Sequence, residues 1–189
     1  MACRADNAMN TFISQLMGRM TLEEKIGQLN LLPGGDIVTG KEMDSPLARL
    51  TAEGKLGAVL SLRDPVKIKA LQDIAVKKSR LGIPLLFGYD VIHGFQTVLP
   101  IPLAQACSWD TTAIRRGAAM AARECTSQGI DWVYSPMVDI ALDPRWGRIA
   151  ESSGEDPFLG SAIAKVMVEG LQGNYGPENA MACLKHYAL

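Results

Sequence analysis

Short apolar segments alternate with helical segments along this chain, and this alternation restricts the fold more than any other feature. Four segments predict buried strands: 56–62, 83–90, 130–136 and 180–186. Helical patterns occupy three stretches between them: 65–80, 110–129 and 156–173. Strands that are apolar throughout and separated by helices predict a parallel sheet covered by helices. Because crossovers are right-handed, the fold is expected to be an open doubly wound sheet or a (β/α) barrel.

Capping residues mark where the helices begin. Thr21 and Glu24 form a capping-box pattern ahead of a helix predicted over 21–32, and Asp110 is expected to cap the helix over 110–129. No GxGxxG or GxxxxGK[ST] motif follows the first predicted strand, which disfavours the nucleotide-binding forms of an open sheet.

Composition excludes several classes of function. The 189 residues fit one domain and carry a net charge of −1, which gives no electrostatic basis for binding nucleic acid or an anionic membrane. No apolar run reaches the ~18 residues of a membrane helix, and the first ten residues lack the apolar stretch of a signal peptide. The four cysteines form no CxxC pair and there are two histidines, so no metal site is expected.

Polar residues follow three of the predicted strands, where parallel α/β folds place their sites. Asp90 could bind hydroxyl groups or cap the next turn, and His93 is interpreted as a structural residue. Lys185 and His186 are adjacent, so on a strand they would point to opposite faces. They can reach one ligand only if the strand has already ended; otherwise they are an exposed lysine and a core histidine.

The stretch ALDPRWGRIAESSGEDP, residues 141–157, concentrates charge beside a tryptophan, yet several of its charges have structural explanations. Asp156 and Pro157 are expected to begin a helix whose dipole also favours Glu155. Glu151 is expected to pair with an arginine and fix the loop.

Three residues of this stretch are not explained in that way. An arginine fork at Arg145 or Arg148 suits two neighbouring hydroxyl groups of a pyranose. Trp146 stacks on a sugar or anchors the loop.

Four segments together carry a family resemblance: LLFGYDVIHGFQTVLPIPLA, GIDWVYSPMVDIALDPRWGR, DPRWGRIAESSGEDP and LKHYA. From about Thr21 to its last residue the chain resembles the N-terminal domain of family 3 glycoside hydrolases, in the β-glucosidase branch. The β-N-acetylhexosaminidase branch is less similar, because its arginine loop lacks the WGR…GEDP pattern.

The resemblance implies an α/β fold, the N-terminal half of a (β/α)8 TIM-like barrel, with about four parallel strands and covering helices. It places the partial barrel domain at 21–189, after an N-terminal helical extension at 1–20. It also implies a retaining, exo-acting O-glycosyl hydrolase that removes terminal β-D-glucosyl residues from oligosaccharides, without cofactor or metal. The matching positions that would bind the sugar are Asp90, Arg148, Lys185 and His186, expected to converge at the strand ends. Gln96 stands where relatives often carry a basic residue.

The resemblance also implies that the catalytic pair is missing. A complete barrel of this type needs about 250 residues, and the family places its nucleophile on a later strand and its acid/base later still. We therefore expect the nucleophile beyond Leu189, the C-terminal part of the chain as a necessary partner, and no activity from the 189 residues alone. Asp90 is not assigned as a nucleophile. Export to the periplasm or outside the cell is expected from the family.

Three alternatives stay open at this point. One is a non-catalytic carbohydrate-binding module, and another is a β-xylosidase or a further glycosidase of the same family. The third is an anion-binding α/β protein in which Arg148, Lys185 and His186 hold phosphate, although the charge of Asp90 opposes it.

An incomplete barrel is expected to expose the inward face of its strands and to aggregate. The apolar candidates for that face are Val59, Leu85, Phe87, Val133 and Leu184, and the strand register decides which of them point inward.

Overall fold

The computed structural model of the chain describes residues 7–34 and 46–187. The helices are α1 (Asn7–Arg19), α2 (Leu22–Gln28), α3 (Pro46–Ala52), α4 (Pro65–Lys78), α5 (Pro102–Ala106), α6 (Thr111–Thr126) and α7 (Pro157–Gln172), with a 3₁₀ turn at Ile149–Glu151. The strands are β1 (Leu31–Pro33), β2 (Ala58–Leu60), β3 (Leu86–Tyr89), β4 (Trp132–Val133) and β5 (Met181–Ala182). No helix in the described ranges is long and apolar enough to cross a membrane.

The strands form one five-stranded sheet in the order β1-β2-β3-β4-β5. Strands β3, β4 and β5 are parallel, with Gly88 opposite Trp132 and Trp132 opposite Met181. This confirms the α/β class and the parallel sheet predicted from the sequence.

Strand β1 was not predicted. The sequence favoured one helix over 21–32, but α2 ends at Gln28 and the chain becomes extended at Leu31. The carbonyl of Asn30 accepts hydrogen bonds from the backbone N–H groups of Gly57 and Ala58 at 3.1 and 3.2 Å. Pairing with a distant segment therefore overrides the local helical pattern, and the described sheet has five strands rather than four.

The chain divides into two compact units, the first made of Met1–Val59 and Lys69–Leu85. In this unit the predicted capping box is present, since the side chains of Thr21 and Glu24 each bond the other's backbone N–H. Arg80 Nε also donates to Glu24 Oε1 at 2.9 Å. The hydrogen bonds from Arg80 are the main reason that the pKa of Glu24 falls to about 2.

The second unit comprises Leu60–Ile68 and Leu86–Leu189. Its helices α6 and α7 pack closely at Gly170, which has no side chain. The carbonyl of Arg115 and the Cβ of Ala118 occupy the space that a side chain there would need. Both helices begin at the predicted caps: Asp110 accepts from one backbone N–H, and Asp156 accepts from two. Capping and close packing fix the position of the loop that precedes α7.

Four of the five apolar candidates for the inward strand face are covered in the structure. Val59, Leu85, Phe87 and Val133 are all at most 2% exposed, whereas Leu184 is 56% exposed. Neighbouring side chains on a strand point to opposite faces, so the register decides which ones are covered. In the second unit the more exposed apolar side chains of the strands are those of Leu86 and Met181.

Candidate functional site

Asp90 and Lys185 lie together at the carboxyl ends of two strands. Asp90 directly follows the last residue of β3, and Lys185 lies three positions after the last residue of β5. Lys185 Nζ donates to Asp90 Oδ1 at 2.8 Å. The lysine side chain is mostly buried, whereas that of Asp90 is 54% exposed. The ion pair therefore presents a carboxylate to solvent at this edge of the sheet.

Strand β5 has ended before Lys185, so strict alternation does not separate Lys185 from His186. The backbone of Lys185 instead pairs with the segment after β4, donating to the Pro136 carbonyl at 3.2 Å and accepting from the Val138 N–H at 2.7 Å. Both side chains reach the loop over 141–157. The sequence reading of an exposed lysine beside a core histidine therefore does not describe this pair.

Arg148 is held by contacts on three of its nitrogens. Its Nε and Nη2 donate to the two carboxylate oxygens of Glu151 at 2.7 and 2.8 Å, as the expected loop pairing requires. Its Nη1 lies 3.0 Å from His186 Nε2. The hydrogen bond from Arg148 lowers the pKa of Glu151 and, reciprocally, raises the pKa of Arg148. A guanidinium has five N–H groups, so one remains on each terminal nitrogen for a ligand.

Asp139 belongs to the site but was missed in the sequence. It is buried, its Oδ2 lies 2.6 Å from His186 Nδ1, and its Oδ1 accepts from the His186 backbone N–H at 3.0 Å. Burial acts to raise the pKa of Asp139, but hydrogen bonds from the His186 ring and backbone outweigh it and lower that pKa. A carboxylate within the apolar run MVDIAL was the available signal, because buried carboxylates need partners.

These contacts join six residues into what we call the strand-end cluster. In contact order they are Asp90, Lys185, Glu151, Arg148, His186 and Asp139. Lys185 links Asp90 to the rest of the cluster, since its Nζ also lies 3.8 Å from Glu151 Oε2. Three carboxylates and two permanent cations nearly balance. The cluster therefore offers donors and acceptors for neutral hydroxyl groups and little net attraction for an anion.

The remaining singled-out residues lie outside the cluster. Arg145 pairs with Asp143, and Trp146 is half-buried. His93 Nδ1 lies 3.0 Å from the carbonyl of Leu99, in keeping with a structural histidine. Gln96 contributes its backbone N–H to the Glu124 carboxylate at 2.8 Å.

Within 7–34 and 46–187, no three side chains of histidine, cysteine, aspartate or glutamate are grouped to hold a metal ion.

A parallel sheet with a polar cluster at the strand carboxyl ends is common to open α/β sheets and (β/α) barrels. Residues 21–188 match the glycosyl hydrolase family 3 N terminal domain, and the chain belongs to this family. The family resemblance seen in the sequence is thereby confirmed.

Curated relatives include glucosidases and xylosidases. The chain is 37% identical over 186 residues to the periplasmic β-glucosidase of Salmonella typhimurium, covering 96% of this chain and 23% of that protein. It is 32% identical over 161 residues to a β-xylosidase of Formosa agariphila, covering 78% of this chain and 21% of that protein. The chain thus spans roughly a quarter of the length of these relatives.

Solved structures show the same relationship. A β-glucosidase from Listeria innocua in complex with glucose superimposes with a TM-score of 0.83 at 40% identity, over 94% of this chain and 26% of that chain. A mutant of that enzyme was solved with laminaribiose. The five-stranded sheet and its helices therefore match part of a family 3 barrel domain.

Proposed function

We propose that the strand-end cluster binds the terminal, non-reducing glucosyl residue in a retaining, exo-acting β-glucosidase of family 3. The observation that carries this proposal is the convergence of Asp90, Lys185, Arg148 and His186 in one chain of contacts. Family membership, and the sugar bound to the Listeria enzyme, support a pyranose as the ligand.

Each polar group has a part that suits a sugar. The exposed carboxylate of Asp90 accepts hydrogen bonds from two neighbouring hydroxyl groups, and Lys185 donates to a hydroxyl oxygen. Arg148 supplies its two remaining N–H groups, whose planar arrangement suits neighbouring oxygens. His186 contributes through Nε2, which can exchange its contact with Arg148 for a hydrogen bond from a hydroxyl group. Hydroxyl groups both donate and accept, so they can join a cluster that contains both kinds of partner.

Hydrolysis requires groups that we place outside these 189 residues. Retaining enzymes use two carboxyl groups about 5–5.5 Å apart, one as nucleophile and one as a proton donor with a raised pKa. Glu151 has a lowered pKa because Arg148 stabilises its charged form, so it is a poor proton donor. Asp90, which contacts Lys185, matches the family position that binds sugar hydroxyl groups. The cluster is therefore assigned to binding, and the 189-residue chain is expected to leave an aryl β-glucoside intact.

Xylose is the second candidate sugar, because the chain also matches a β-xylosidase over 78% of its length. Xylopyranose has the ring hydroxyl groups of glucose without the exocyclic CH₂OH, so the same cluster suits both. Phosphate is disfavoured, since three carboxylates surround the three basic groups.

Titration calorimetry with glucose, xylose and inorganic phosphate tests the proposal. We expect glucose or xylose to bind and phosphate to bind more weakly than either. Asp90→Asn should weaken sugar binding by about tenfold, the effect of losing one hydrogen bond to a charged group. Asp143→Asn is the matched control, because its carboxylate pairs with Arg145 outside the cluster. Tighter binding of phosphate, or sugar binding that is indifferent to Asp90→Asn, would overturn the assignment.

A further inference from the structure

The ring of His186 lies between two partners of opposite hydrogen-bonding character. Its Nδ1 lies 2.6 Å from a carboxylate oxygen of Asp139, and its Nε2 lies 3.0 Å from Nη1 of Arg148. A carboxylate only accepts hydrogen bonds, and a guanidinium only donates them. Each partner therefore specifies whether the nitrogen that it faces carries a proton.

One protonation state of the ring satisfies both contacts. With the proton on Nδ1, His186 donates to Asp139 and its Nε2 lone pair accepts from Arg148. The other neutral tautomer would direct a lone pair at a carboxylate and an N–H at a guanidinium. A protonated ring would keep the Asp139 contact but would set two N–H donors and two positive charges against each other at Arg148.

We infer that Asp139 is a positioning residue that holds His186 as the Nδ1–H tautomer, so that Nε2 stays an acceptor at the sugar-binding edge. The inference rests on the proposed function, in which Arg148 and His186 face the sugar. Nε2 has a single lone pair, which accepts from Arg148 in the sugar-free protein. A sugar hydroxyl group can donate a hydrogen bond to it where Arg148 gives up that contact. Asp139 itself is buried and acts through the histidine.

The carboxylate is required because His186 presents two donors to it. The backbone N–H of His186 donates to Oδ1, and the ring Nδ1 donates to Oδ2. An asparagine has one accepting oxygen. Since the backbone N–H cannot be reversed, an asparagine oxygen would take that bond and its NH₂ group would face the ring. Nδ1 would then have to accept, which moves the ring proton to Nε2 and opposes it to Arg148.

The ring tautomer can be measured directly, because the chain has two histidines. The test is nitrogen-detected NMR of the ¹⁵N-histidine-labelled chain. The variant His93→Gln assigns the signals. We expect the wild-type His186 ring to carry its proton on Nδ1, and Asp139→Asn to move the proton to Nε2. Asp139→Glu keeps two acceptors and should retain the wild-type tautomer, and Asp143→Asn should leave both rings unchanged.

Glucose titration separates this inference from the proposed function. Asp139→Asn should weaken binding by about tenfold, whereas Asp139→Glu should recover part of the loss. A wild-type ring protonated on Nε2 overturns the inference, as does an unchanged tautomer in folded Asp139→Asn. If Asp139→Asn fails to fold, the wild-type spectrum and Asp139→Glu decide. A correct tautomer in a chain that binds no sugar would refute the proposed function alone.

Discussion

Two arginines that stand three positions apart in one loop have different surroundings. Arg145 contacts Asp143, two residues earlier in the chain, and its side chain is 89% exposed. Arg148 contacts both Glu151 and the distant His186, and its side chain is 43% exposed. Arg145 is therefore held only by its own loop segment, whereas Arg148 also contacts a residue that follows a separate strand.

This difference teaches which charges in a charged loop belong to a site. A pair formed within a few exposed residues is screened by water and leaves its geometry free to vary. A guanidinium held on several nitrogens, by residues from different elements, keeps one orientation before any ligand arrives. That preorganisation lowers the entropy lost on binding.

Replacing each arginine in turn tests whether only Arg148 belongs to the binding site. Arg148→Ala should weaken glucose binding by about 1.5–3 kcal/mol, the range for hydrogen bonds to charged groups. This corresponds to roughly ten- to hundredfold in the dissociation constant. Arg145→Ala should leave the constant within about twofold, because its pairing is local. Calorimetry on the two variants checks this, and equal effects would end the distinction.

A smaller effect is expected from the serine that anchors the Arg148 side of the loop. Ser152 is fully buried, and its Oγ donates to the Asp139 carbonyl at 2.9 Å and accepts from the Gly154 N–H at 3.1 Å. Ser152→Ala leaves these groups unpaired and should lower the free energy of unfolding by about 1–3 kcal/mol. Its partly exposed neighbour provides the control, Ser153→Ala. Urea denaturation measures both variants. Equal free energies of unfolding would show that the Ser152 hydrogen bonds do not stabilise the loop.

Lowering the pH should affect the stability contributed by Glu151, which pairs with Arg148, more than that contributed by Asp143, which pairs with Arg145. Arg148 lowers the pKa of Glu151, so the ion pair stabilises the fold fully above the ordinary glutamate value of about 4.3 and loses this contribution as pH falls through the lowered value. The stability gap between wild type and Glu151→Gln should therefore close in acid. For Asp143→Asn we expect no resolvable gap at any pH, because that pair is exposed. Denaturation across a pH series measures both stability differences. A difference between wild type and Glu151→Gln that widens in acid would contradict a stabilising Arg148–Glu151 pair.

The smallest effect is expected at the charge that follows the loop. Glu155 is exposed before α7, so Glu155→Gln should cost only the helix-dipole contribution of about 0.3–1 kcal/mol. Asp156→Ala should cost about 0.5–2 kcal/mol, because its carboxylate accepts from the Phe158 and Leu159 N–H groups. Neither change should alter glucose binding. A binding defect in Glu155→Gln would extend the site beyond the cluster.

Features decided by neighbouring residues could be predicted from the sequence. The capping box at Thr21, the N-caps Asp110 and Asp156, and the alternation of strands and helices all follow from local chemistry. The role of Asp139 could not be predicted in that way, because its partner His186 lies 47 positions away. The buried face of β3 was also missed, since Phe87 and Leu86 exchange places if the register shifts by one residue.

The contact between Asp90 and Lys185 joins residues 95 positions apart. During synthesis the chain emerges from its N-terminus, so Asp90 is available long before its partner. The cluster cannot assemble while β5 is still within the ribosome, and long-range pairing of this kind is slow to form even afterwards. If the cluster binds sugar as proposed, a nascent chain can bind glucose only after β3, β4 and β5 have paired.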